Sequence, residues 1–422
     1  MTEEIGQRKE SEYMSHDEYQ MGEENRWNIL CDLMYLLGCG VNQREPRQDM
    51  ISRYAVNEDE MRLLYQLSRA HFVDALTGTV LKQARVVLPF VWEQSIAKAI
   101  RKEILFDAER AKIFAFMEHN GIWYLPLKGI ILKDYYPAIG MRQMSDHDIL
   151  FDETYADRIR DHMVSLDYRV ESFGQGNHDV YEKEPVYNFE MHRRLYGASH
   201  DNNWERYYRD IKSRLLLNDG SSYGYHMRAE DFYIYIICHG YKHYQGSGTG
   251  VRTLLDYYVY LSRMQQNMDF VYIEEECAKL GLSDFEKRNR QLCRKAFGSD
   301  TYEAVTADMT GGNSEKNIRT LLSVEEWEML QYYLTSGVYG TFDRMVENGM
   351  KKHTNRDGSV SKVRYVCRRI FPGKEIYPYY PFFNKHKFLM PVLWIYRLMC
   401  VVFQKERRER IRREIVTVKR VK

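Results

Sequence analysis

The amino-acid sequence predicts an α+β chain, with a small mixed sheet flanked by an N-terminal and a C-terminal helical region. Three observations carry this reading. Apolar residues recur at three- and four-residue spacing from Trp27 to about Asn120. Between residues 123 and 195 the texture changes to short apolar or alternating runs broken by turn residues. Helical spacing returns after about Ser199 and holds to about Tyr339. With 422 residues, two or three domains fit the length, and 44% hydrophobic residues are enough to fill their cores.

The elements follow in order. WNILCDLMYLLGCG (27–40), EMRLLYQLSRAHFVDALTGTVLKQA (60–84) and WEQSIAKAIRKEILFDAERAKIFAFMEHNG (92–121) each read as helix, the last stopping at Asn120-Gly121. WYLPLK (123–128) is a short buried strand, GIILKDYY a short helix stopped by Pro137, and RQMSDHDILF (142–151) a second strand. ETYADRIRDHMVSLDY (153–168) is an amphipathic helix and RVESF a third strand candidate. HDVYEKEPVYNFEMHRRL (178–195) reads as two strands joined by a turn around Lys183–Pro185. RAEDFYIYIICHGYKHY (228–244) and VRTLLDYYVYLSRM (251–264) are helices parted by a glycine-rich turn. The expected organisation is a loose leader (1–25), a helical region (26–120), a sheet-bearing core (121–199), a second helical region (200–345) and a basic, aromatic-rich tail (346–422) packed partly on the body.

Net charge is only +1, yet Lys351–Lys422 holds 20 Lys or Arg against 5 Asp or Glu. That segment is therefore +15, which leaves −14 on the rest. A basic end on an acidic body points to a phosphate-bearing partner at the tail, nucleic acid or an anionic surface; a solvated or internally paired helix is the other reading. Tyr377, Tyr379, Tyr380, Phe382 and Phe383 could stack on bases or pack on the body. Seven scattered cysteines without a C-x-x-C pair suit a reducing compartment. The polar first residues have no apolar signal core, and the apolar run Phe388–Phe403 is short for a bilayer span and interrupted by Pro391 and Arg397. A cytoplasmic protein with no transmembrane segment is expected.

The chemistry centres on Asp146-His147-Asp148. Residues two apart on a strand share a face, and two adjacent carboxylates repel unless a cation sits between them. Oxygen ligands of this kind suit Mg²⁺. On that reading, Asp146→Asn or Asp148→Asn should leave metal-free stability level or raise it. The apolar flank Ile149–Phe151 places the pair beside a buried run, where a solvated edge is harder to argue. Glu190, with His192 two residues on, offers a third acid on a neighbouring strand; an ion pair with Arg193, Arg194 or Arg142 is the structural alternative. Asp179 is the next choice should Glu190 face away. Lys128-Gly129 closes the first strand where a backbone could approach an anion, and Arg142 precedes Asp146 by four residues. His239 and His243 share a helix face, as do Arg252 and Asp256; packing and an intrahelical ion pair are the plain readings.

LPLKGIILKDYYP followed by MRQMSDHDILF resembles a poorly characterised bacterial branch of the polymerase-β-like nucleotidyltransferase superfamily. The resemblance continues through Glu190 and His192 and through HGYKHYQGSGTGVRTLLDYYVYL, covering roughly 25–403. It implies a sheet of nucleotidyltransferase type and transfer of a nucleoside monophosphate from an NTP, such as ATP, to an unidentified acceptor (small molecule, protein or RNA), with release of pyrophosphate. Asp146, Asp148 and Glu190 would be catalytic and would hold two Mg²⁺, or Mn²⁺ in their place. Lys128, Gly129, Arg142 and Ser145 would bind the nucleotide, and His192, His243, Arg252 and Asp256 would line the substrate cleft. The superfamily's Gly-Ser pair shortly before the first aspartate is missing; here Ser145 directly precedes Asp146. A nucleotide-binding interaction protein with weak catalysis, or an adaptor working through the basic tail on RNA or membrane, is the alternative.

Overall fold

A computed structural model describes residues 23–197, 202–306, 314–354, 360–373, 376 and 380–420. The leader through residue 22, the junction near Ser199, and Tyr377 and Tyr379 lie outside the described residues. The architecture is α+β and mostly helical.

Five helices precede the sheet: α1 (Glu23–Asn42), α2 (Gln48–Val56), α3 (Glu58–Ala70), α4 (Asp74–Gln83) and α5 (Phe90–His119). α1 is apolar on nearly every side, so it becomes the centre of the helical body: Ile29, Leu30, Leu33, Met34, Leu36 and Leu37 are all buried. The expected single helix over 60–84 is two, because Phe72 turns the chain with φ +58 between α3 and α4. α5 ends at Asn120, and Gly121 follows with φ +69, the conformation glycine accepts most readily.

The sheet has five strands, β1 (Tyr124–Pro126), β2 (His147–Phe151), β3 (Arg169–Ser172), β4 (His178–Lys183) and β5 (Tyr187–His192), in the order β1-β2-β5-β4-β3. β2 and β5 run parallel; every other pair is antiparallel. α6 (Gly129–Leu132) follows β1, and α7 (Ala156–Ser165) lies between β2 and β3. Alternation divides the strands between two faces. Ile149, Phe151, Tyr181, Phe189 and Met191 pack under Phe106, Ile113 and Met117 of α5 and Ile159 and Met163 of α7. The opposite face carries Asp148, Glu190, His192 and His178, since the register pairs Asp148 with Glu190 and His178 with His192. The second strand is shorter than expected: Asp146 stands just before it.

Beyond β5 come α8 (Asn202–Tyr208), a two-stranded ribbon of β6 (Leu216–Leu217) and β7 (Tyr225–His226), α9 (Ala229–Tyr244), α10 (Val251–Met264), α11 (Phe270–Lys279), α12 (Ser283–Phe297), α13 (Ser299–Thr306), α14 (Ser314–Leu321) and α15 (Val324–Ser336). These do not form a core apart from the first helices. One continuous apolar cluster joins Leu36 and Leu64 to Leu254, Leu292, Ile318 and Leu330, and takes in Leu125, Leu127 and Leu150 from the sheet. The chain closes with α16 (Phe342–Lys351), α17 (Lys362–Ile370), α18 (Pro381–Lys385), α19 (Met390–Phe403) and α20 (Lys405–Arg420). Among the described residues no helix is long and apolar enough to cross a membrane.

Candidate active site

The polar patch is built by two neighbouring parallel strands. His147, Ile149 and Phe151 turn into the α5 side, which forces Asp148 to the other face, directly beside Glu190. Asp148 is 2% exposed, so its charge needs compensation. Lys128 Nζ donates to Asp148 Oδ1 at 2.6 Å, and His192 Nε2 lies 2.8 Å from the same oxygen. Lys128 reaches it from the turn after β1, where its own backbone takes φ +46, a strained value for a lysine. Glu190 Oε2 lies 3.6 Å from His192 Nε2 and 3.7 Å from His178 Nε2. Solvent reaches the patch from this side, where Glu190 and His178 side chains are 22% and 32% exposed.

Electrostatics separate the acids. Burial pushes the Asp146 carboxyl up to about 6, helped by the neighbouring charges of Asp148 and Glu190. Asp148 is held well below the usual carboxylate range: burial opposes ionisation, but Lys128 and His192 outweigh it. Glu190 is also lowered against burial, chiefly by His192. His192 in turn is raised, because its bonds to Asp148 and Glu190 overcome its desolvation. His178 is lowered by burial. The patch therefore balances ionised Asp148 and Glu190 against Lys128 and His192, with Asp146 as its most easily protonated acid.

Among the described residues, the group whose metal-ligating atoms all lie within 4.8 Å of one another is His178, Glu190 and His192. Two imidazoles and a carboxylate at this separation could hold a divalent ion. The three acids expected to share metals, Asp146, Asp148 and Glu190, line the same region, but Asp148 is closed by the Lys128 ammonium.

The remaining expected residues divide. Ser145 Oγ donates to Asp146 Oδ1 at 3.2 Å, and Lys102 of α5 donates to the Ser145 carbonyl at 3.0 Å. Arg142, expected on a triphosphate, is buried and committed elsewhere: its Nε and one terminal nitrogen each lie 2.9 Å from the two Asp256 oxygens. Tyr136 adds a 2.8 Å hydroxyl bond to Asp256. The remaining terminal nitrogen, Nη1, lies 3.2 Å from the Met144 sulfur. The plain reading of Arg252 and Asp256 as an intrahelical pair also fails, because Arg252 donates to the Gln143 carbonyl at 3.1 Å. Gly129 does not supply the turn; Lys128 does. A Cβ at Gly129 would stand 2.5 Å from Arg142 and 2.8 Å from the Met144 methyl, so the missing side chain makes room for those two. His239 and His243 meet edge-on with ring centroids 4.6 Å apart, as packed aromatic rings do.

Three residues escaped the sequence reading: His178, Lys102 and Tyr235. Tyr235, on α9, is raised by burial and by the Asp148 and Glu190 charges, against the pull of Lys128. His239, one turn along, is driven well down by burial and by Lys128. Tyr235 and His239 of α9 thus lie within electrostatic range of Lys128 and Asp148. The helical spacing of 228–244 indicated a buried face, but nothing local said that this face meets Lys128.

Neither a curated protein nor a solved structure matches the chain. A family model described as an uncharacterised nucleotidyltransferase does match, over residues 57–298. The match takes in α3 through α12, the whole sheet and every residue of the patch. The chain belongs to this uncharacterised nucleotidyltransferase family and is a nucleotidyltransferase enzyme.

Proposed function

We propose that the protein transfers a nucleoside monophosphate from an NTP to an acceptor hydroxyl or phosphate, using divalent ions held at Asp146, Asp148 and Glu190. The observation that carries this reading is the in-register pairing of Asp148 with Glu190 on adjacent parallel strands, with Asp146 at the strand's mouth. Bound there, Mg²⁺ or Mn²⁺ would neutralise phosphate charge and acidify the acceptor hydroxyl. The acceptor oxygen attacks the α-phosphorus, the bond from that phosphorus to the α,β-bridging oxygen breaks, and pyrophosphate leaves. Glu190 takes the acceptor proton; its side chain is 22% exposed, against 3% for Asp148. Asp148 orients the reacting groups, and His192 fixes it.

Lys128 supplies the positive charge that Asp148 requires before nucleotide arrives. Its ammonium then turns to the triphosphate, whose oxygens replace the carboxylate as its partner. Ser145 contributes a hydroxyl beside Asp146, while Arg142 and Asp256 act as a brace behind the turn that carries it. Arg252 and Lys102 lie on the Asp146 side and favour an anionic ligand there. Incubation with each α-labelled NTP, a divalent ion and a cell extract tests the reading. Label should pass to an acceptor with the wild-type chain and stop with chelator or with Asp148→Asn. Equal labelling by Asp148→Asn would end it.

A further inference from the structure

The C-terminal helices hold an apolar surface that the transferase chemistry does not use. Val392, Ile395, Tyr396, Met399 and Phe403 recur along α19 at helical spacing and fall within an arc of about 100°. They are 55%, 62%, 55%, 48% and 74% exposed. Phe388, in the turn just before the helix, extends the stripe at 77%. Met390 and Leu393, round the helix from it, are buried in a small cluster with Ile376. Single exposed apolar residues are ordinary, but a continuous stripe of them marks a surface that something covers.

The charge around the stripe says what. No charged residue interrupts it, yet Lys385 and Lys387 stand exposed at one end and Lys405, Arg407 and Arg408 at the other. Residues 385–420 carry eleven Lys or Arg against three Glu. One of those acids, Glu414, is taken by Arg369 and Tyr365 of α17. A second copy of the chain would bring two such basic segments together, and they would repel. A nucleic acid would want cations among the aromatic rings, whereas here they sit at the ends of the stripe, and Arg397 lies off it, with one terminal nitrogen 3.5 Å from the Arg369 carbonyl. α19 spans about 21 Å at helical rise, short of the roughly 30 Å hydrocarbon core, so it cannot cross a bilayer and suits the headgroup boundary. α20 is fastened to α16 by Thr417 on Asp343 at 2.6 Å, so whatever α19 and α20 bind also holds that part of the body.

We propose that residues 385–420 dock the protein on an anionic membrane surface, with the α19 stripe inserted at the headgroup level and the flanking Lys and Arg against lipid phosphates. The test is flotation of the full chain with vesicles of phosphatidylcholine alone or mixed with phosphatidylglycerol. The wild-type chain should float with the mixed vesicles, and added salt should weaken this. Ile395→Glu combined with Met399→Glu should cut partition tenfold or more, because both side chains lose a favourable transfer. Arg407→Gln with Arg408→Gln, changes at exposed positions that leave the fold intact, should weaken binding to mixed vesicles alone. The proposal is overturned if the wild-type chain stays in solution, or if either variant floats as the wild type does. It is equally overturned by a dimer in light scattering that Ile395→Glu dissolves, or by tail-dependent RNA binding, where no flotation occurs. None of these readouts involves nucleotide transfer, so the outcome is separate from that of the proposed function.

Discussion

Asp146 and Asp148 look equivalent in the sequence, and the structure makes them opposites. Asp146 is half-buried with its carboxyl raised to about 6, while Asp148 is ionised and clamped by Lys128 and His192. The expectation that either Asn variant would be neutral or stabilising therefore splits. A raised acid contributes stability that is complete below its unfolded value and is lost as pH rises through its folded value. Comparing wild type with Asp146→Asn by urea unfolding from pH 4 to pH 7, the variant should gain relative stability as pH rises, by on the order of 2–3 kcal/mol in all. An unchanged difference across that range would refute the assignment. Asp148→Asn should instead lose about 3 kcal/mol at neutral pH, because it leaves the half-buried Lys128 ammonium without its carboxylate partner. Arg142→Lys should also destabilise, by about 2 kcal/mol, since an ammonium cannot reproduce the two-point bond to Asp256; thermal unfolding without nucleotide reads this. The face of Asp148 was legible because alternation with Ile149 and Phe151 fixes it. The partners of Arg142 and Ser145 were not, since Asp256 lies 114 residues away and Lys102 lies 43.

At the level of elements, strand register does most of the positioning. The turn expected at Lys183–Pro185 makes β4 and β5 a hairpin, and its register alone sets His178 opposite His192. His178 was thus within reach of the sequence once the hairpin centre was known, since pairing about that turn puts it across from His192. The parallel neighbour was harder, because nothing in β2 names its partner strand: α7, β3 and β4 intervene before β5 completes the pair. If His178, Glu190 and His192 act as one ligand group, the isolated chain should take up Co²⁺ with a visible absorption band that His178→Ala abolishes. A band that survives this change would assign the ion to other residues. The turn between β1 and α6 supplies another check. Gly129→Ala should cost about 1–3 kcal/mol in urea unfolding, since its methyl meets an Arg142 pinned by Asp256 and the Met144 methyl.

Over the whole molecule, the helical regions before and after the sheet were read as two and share one core. Asp32 of α1 shows why: buried, it accepts from Arg53 and Tyr54 of α2 and from Ser314 of α14. Sequence periodicity gives the buried face of each helix but not the face it meets, so this union was invisible in the spacing. Asp32→Ala should therefore loosen α1 and α14 together, read by hydrogen exchange, rather than only the first helices. This shared body includes α9, which brings Tyr235 and His239 within electrostatic range of Lys128 and Asp148. The central claim is that this patch performs nucleotidyl transfer rather than phosphoryl transfer or simple binding. The most direct measurement supplies the same NTP labelled at either the α or the γ phosphorus, with Mg²⁺ and the acceptor fraction. The account predicts α label on the acceptor, γ label released in pyrophosphate, and both lost in Asp148→Asn. Appearance of γ label on the acceptor, or transfer that persists undiminished in Asp148→Asn, would contradict it.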